Sequence, residues 1–95
     1  MSEIMVNKYG NIISDQETGN MIFQEIKKEL NSTSTPIKVN LNDVITMATF
    51  NAKQIFGKLY LELGPTNFFD QIIILNANDD LKLIISLGIQ SAVND

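Results

Sequence analysis

Two short strand-like segments, Ile37 to Leu41 and Gln71 to Leu75, each lead through a few polar residues into a segment whose apolar side chains recur at helical spacing. Ala52, Ile55, Phe56, Leu59 and Leu63 follow the first run; Leu81, Ile84, Ile85, Gly88 and Ala92 follow the second. A strand, a helix and a second strand rejoin one sheet through a crossover, and such crossovers are right-handed and give parallel pairing. This alternation disfavours helix bundles and all-β meanders and points to the α/β class.

The rest of the chain supplies the flanking elements. Ile4-Met5-Val6 reads as a first strand, Lys8 to Asn11 as a turn and Ile12-Ile13 as a short return strand, together a hairpin. Ser14-Asp15-Gln16-Glu17 matches a capping box with Ser14 as the cap, opening a helix that carries Gly19, Ile22, Phe23, Ile26 and Leu30. Lys27 and Lys28 suit the end of that helix. The polar linker Asn31 to Pro36 stops it, because the residue before a proline is pushed toward an extended conformation. Gly64-Pro65 ends the second helix, and Asn78 caps the third with Asp79 and Asp80 in its first turn. The expected fold is a single α/β domain over residues 1–95, with element order β-β-α-β-α-β-α. It has three main helices and a mixed, mostly parallel sheet of about four strands. Ile37, Val39 and Leu41 alternate with polar residues, whereas the run to Leu75 is apolar throughout and reads as a strand covered on both faces. That mismatch leaves part of one sheet face open, or met by a partner.

Composition removes whole classes of function. The 95 residues include no His, Cys, Arg or Trp. The usual zinc sites and the Cys- or His-based nucleophile systems are therefore excluded, as are bidentate arginine clamps on phosphate. Seven Lys against eleven Asp plus Glu leave a net charge of −4, which is no electrostatic footprint for nucleic acid. No apolar stretch approaches the roughly 20 residues that span a bilayer, and the start is acidic rather than signal-like. The expectation is a cytoplasmic protein that binds neither nucleic acid nor membrane, holds no cofactor or metal and is not an enzyme. The carboxylates, hydroxyls and lysines that remain show no spacing typical of an acid–base pair.

At Val39 to Val44, Ile45-Thr46-Met47-Ala48-Thr49-Phe50-Asn51-Ala52 and Ile55-Phe56-Gly57-Lys58-Leu59-Tyr60, the chain resembles the STAS-like domains of unknown function. These are bacterial relatives of the STAS domain of sulfate transporters and anti-sigma factor antagonists. The family pattern is a strand, a Ser/Thr-rich turn and a helix containing Phe-Gly-Lys-Leu, here Phe56 to Leu59. The resemblance implies a signalling module that acts by protein–protein interaction. Its regulatory partner would be of the serine-kinase or anti-sigma-type ATPase class. It also implies that a hydroxyl at the start of the second helix is phosphorylated. Thr49 is the best positional match and Thr46 the second. Ala48 and Asn40 stand where the STAS anti-sigma antagonists usually carry acids.

The residues give the same region a plainer reading beside the regulatory one. Thr49 or Asn51 would cap the second helix, and Asn51 with Gln54 forms a box-like pair. Asn51, Lys53, Lys58 and Asp43 would face a partner or a ligand, although lysines like Lys53 and Lys58 are more often solvated. The alternative function is a sensor that holds a nucleotide or other anion at the same turn. Asp43 with Asp79 or Asp80 would make at most a carboxylate-only magnesium site, and turn chemistry accounts for them better. Gly57 inside a helix costs roughly 1 kcal/mol against Ala, which points to close packing on the sheet. Gly19 and Gly88 invite the same reading. Phe68-Phe69 is either a plug under the core or a partner-facing patch. The edge of the N-terminal hairpin offers a route to a homodimer by strand addition.

Overall fold

The computed structural model describes residues 2–95. Three parallel strands, β1 (Glu3–Met5), β3 (Ile37–Asn40) and β5 (Ile72–Leu75), form one sheet in the order β1-β3-β5. A second, two-stranded parallel sheet joins β2 (Ile12–Ile13) to β4 (Thr46–Met47). The helices are α1 (Gln16–Ser32), α2 (Thr49–Ala52), α3 (Lys58–Leu63), α4 (Pro65–Gln71) and α5 (Asp79–Val93). A π-helical turn, Lys53–Gly57, joins α2 to α3 with helical backbone angles at both junctions, so the three pieces make one continuous rod.

The α/β class and the parallel crossovers are as the alternation requires, while the strand count and order differ from expectation. The N-terminal hairpin does not form. β1 pairs with β3, β2 pairs with β4, and a 3₁₀ turn (Val6–Tyr9) carries the chain from one sheet to the other. That turn is tied to α1 instead of folding back: the Tyr9 hydroxyl donates to Glu25, and Lys8 pairs with the same carboxylate at 2.6 Å. β4, expected as turn, pairs with β2 through register Ile12↔Thr46 and Ile13↔Met47. Gly64 ends the rod with φ 83°, but Pro65 starts α4 rather than a loop, since a proline at the first helical position gives up no hydrogen bond. Ser14 is not the cap of α1. Asp15 is, its carboxylate accepting from the Thr18 N–H at 2.9 Å.

Strand periodicity of two divides the three-stranded sheet. The cross-strand row Ile4, Val39, Ile74 and the pair Ile37, Ile72 contribute to the helix-covered core. The rows Glu3, Lys38, Ile73 and Met5, Asn40, Leu75 point the other way. β5 is therefore not covered on both faces: Ile72 is buried, and Ile73, Ile74 and Leu75 remain partly exposed because β5 is an edge strand. Phe68 is the plug and Phe69 is 68% exposed, so the double aromatic splits between the two roles considered for it.

The helical glycines do pack closely, but against helices. A Cβ on Gly88 would lie 2.6 Å from the backbone of Ala52 and Lys53; a Cβ on Gly57 would lie 2.8 Å from the Gly88 carbonyl and from the Ala92 Cβ. Ala52 and Gly57 thus both face Gly88. In an α-helix, residues five apart are rotated about 140° from alignment. The wider π turn brings them back toward one side, which is how one rod presents both residues to one point on α5. Gly88→Ala is expected to destabilise the domain by about 1–3 kcal/mol, since backbone must move to admit the methyl. It should do so despite alanine's better helix propensity. Urea unfolding of the variant with no loss of stability would contradict this crossing.

Candidate functional site: the start of the α2 rod and its groove

The chain leaves β4 and enters α2 at Ala48, whose extended backbone makes it the N-cap without any side-chain hydrogen bond. Neither Thr49 nor Asn51 caps the helix. Thr49 is the first helical residue and is exposed; Thr46 lies in β4 and is partly exposed.

Asn51 is fully buried and so does not face a partner or ligand. Its Nδ2 donates to the Asp15 carbonyl at 2.9 Å and to Gln54 Oε1 at 3.1 Å, while Gln54 Nε2 donates to the Gln16 carbonyl at 2.9 Å. The expected Asn51–Gln54 pair therefore exists, but it binds the start of α1 to the start of the rod. Gly19 makes room for it: a Cβ there would sit 1.9 Å from Gln54 Oε1 and 2.5 Å from Asn51 Nδ2. Asn51 Oδ1 is buried with no hydrogen-bond partner among the described residues.

The outward side of the rod borders a groove of about 550 Å³ between the rod and the last turn of α5. Three of its lining residues are large exposed hydrophobics: Phe50 at 50%, Leu61 at 57% and Val93 at 51%. Lys53 and Lys58 line it as well. Lys53 forms an ion pair with the Asp95 side chain, and Lys58 stands 4.5 Å from the centre of the Phe23 ring, within cation–π range. The structure thus brings Lys53 and Lys58 to one groove with Phe50, while Thr49 is exposed next to Phe50 in the chain but does not line the groove. It separates Asp43, which sits in the β3–β4 turn with φ 66° and does not line the groove. No group of three or more acidic side chains able to hold a metal occurs among the described residues. None of the described helices is long and apolar enough to cross a membrane.

A second amide cluster joins the carboxyl ends of β3 and β5 and reaches the first residue of β1. Asn40 Oδ1 accepts from the Asn42 N–H at 2.9 Å and from Asn76 Nδ2 at 3.0 Å, and its own Nδ2 donates to Glu3 at 2.8 Å. An acid at position 40 could not make that donation while ionised. Asn40 is therefore a joint between strands here.

A known family model, described as a STAS-like domain of unknown function (DUF4325), matches the chain over residues 18–82. The chain belongs to that family. No curated protein and no solved structure matches it significantly. The STAS-like match opens within α1 and closes in the first turn of α5, so it holds every groove residue on the rod and the amide side chains of both clusters, but not their partners Asp15, Gln16 and Glu3. Phe50 and Leu61 are not among the residues that the sequence pattern marks as functional. Their signal was an apolar residue on the polar side of an otherwise amphipathic helix.

Two consequences of this site are measurable. Asn51→Ala should cost about 1–3 kcal/mol, because it strands the Asp15 carbonyl and Gln54 Oε1; chemical denaturation against wild type reads it directly. The hydrogen bond from the Thr18 backbone holds the Asp15 carboxyl below its ordinary value of 3.8. Its stabilising effect is present above that value and is lost as pH falls through the depressed one. Asp15→Asn keeps a capping oxygen but cannot titrate there, so its melting temperature should fall less steeply below about pH 4 than that of wild type.

Proposed function

We propose that this domain is a non-catalytic, cytoplasmic regulatory module. It binds another protein through the groove beside the α2 rod and is controlled at the exposed turn that opens the rod. The observation that carries this reading is the clustering of Phe50, Leu61 and Val93, each about half exposed, around one groove beside two lysines. A contiguous apolar patch rimmed by polar residues is the form that interaction surfaces take, and an exposed aromatic is a typical anchor. Family membership supports a bacterial partner of the serine-kinase or anti-sigma-type ATPase class.

Thr49 is the natural control point. It is exposed, it adjoins Phe50, and it lies one helical turn before Lys53. A phosphate there would sit at a helix N-terminus, where free N–H groups favour negative charge, and would compete with Asp95 for Lys53. Thr46 is the second candidate hydroxyl.

Quantitative affinity capture from the source organism, followed by titration with the recovered partner, tests the reading. Phe50→Ala and Leu61→Ala should each weaken binding by roughly tenfold or more, as truncated anchors do. Thr49→Asp should weaken it with the fold intact. A partner that binds Phe50→Ala and Leu61→Ala as tightly as wild type would overturn the assignment of the surface.

The size of the groove favours one other reading. Its 550 Å³ is in the range of small-molecule sites, and Lys53 and Lys58 would complement an anion such as a nucleotide. A thermal-shift screen with nucleotides and inorganic phosphate separates the two, since a bound ligand raises the melting temperature by mass action.

A further inference from the structure

The outer edge of β5 is open. The sheet ends there, and among the described residues no strand lies beyond it. Its residues, Ile72 to Leu75, include no charge and no proline, and their register with β3 runs without a bulge. Charges, prolines and bulges are among the devices by which native edges avoid pairing with another chain. A second groove, of about 530 Å³, runs beside the strand and is lined by Ile74, Ile85, Ile89, Phe69 and Lys82 among others. A strand laid along this edge would satisfy the free backbone groups of β5 and set alternate side chains over the groove.

The charges at the two ends of β5 select the occupant. Asp70 is exposed in the last turn of α4, at the N-terminal end of the strand. Lys82 is exposed in the first turns of α5, at the C-terminal end of the strand, and lines the groove; Asp79 and Asp80 do not line it. Neither Asp70 nor Lys82 makes an ion pair among the described residues. Antiparallel pairing of two copies puts the N-terminal end of each β5 beside the C-terminal end of the other. Each Asp70 then approaches the Lys82 of the second copy, twice by symmetry. Parallel pairing would instead set Asp70 against Asp70. An axis normal to the sheet also keeps the helices of both copies on the same face.

We infer that the chain associates with a second copy of itself by antiparallel addition of β5 to β5 about a two-fold axis, giving one continuous sheet with an Asp70–Lys82 pair at each end. This interface is separate from the groove beside the α2 rod. Sedimentation equilibrium of the full chain from micromolar to sub-millimolar concentration tests it. Wild type should show a reversible monomer–dimer equilibrium. Asp70→Lys and Lys82→Asp should each weaken it by about tenfold, because two attractions become two repulsions. Both the double variant and an equimolar mixture of the two single variants should recover the wild-type constant, because each restores both opposite-charge pairs. Circular dichroism reports whether these surface changes leave the fold intact. A monomer throughout the range overturns the inference. So does a dimer whose constant is unmoved by Asp70→Lys, or a double variant and mixture as weak as the single variants.

Discussion

Backbone meets backbone where the α2 rod crosses α5, and the rest of the arrangement depends on that contact. A side chain at Gly88 would run into Ala52 and Lys53, so the two helices are closer than any Cβ-bearing pair could be there. The close crossing demands that Ala52 and Gly57 share a side, and the π turn supplies the rotation. The same turn sets the direction of everything after Lys53. Phe56 and Leu59 go to the core, Lys58 and Leu61 to the outside, and the groove opens between the rod and Val93. One steric constraint between two glycine-bearing helices thus governs both the packing and the surface through which the domain is proposed to work.

Much of the fold was legible from local pattern. The alternation in Ile37, Val39 and Leu41 identified a half-buried strand, and helical spacing placed α1, the rod and α5. What local pattern could not give was the partner of each element. Ile4 to Val6 and Ile12-Ile13 are separated by a turn and look like a hairpin, yet their pairing partners lie more than thirty residues away. The glycines announced close packing, because glycine in a helix is costly without it, but not whether a sheet or a helix would be the neighbour. The π turn left no local mark, since Lys53 to Phe56 are ordinary helix-compatible residues. Pro65 fits the end of one helix and the start of the next equally well.

The candidate site was half legible. Lys53 and Lys58 do line one groove, although five residues apart, because the π turn between them brings them back toward one side. Asn51 misled because an amide three residues before Gln54 looks like a helix cap, while here the pair reaches across to the α1 start. The groove itself is a tertiary object. Phe50, Leu61 and Val93 come from two helices thirty residues apart and become neighbours only at the crossing.

The joint at Asn40 has one further consequence. Two of its three bonds join amide groups alone, which carry no charge to gain or lose in the range where proteins live. A carboxylate at that place would invite a divalent cation and would loosen or tighten with acidity. The amide instead ties the tips of β3 and β5 together with a neutral latch, and only its third bond, to Glu3 at the start of β1, ends on a group that can change charge.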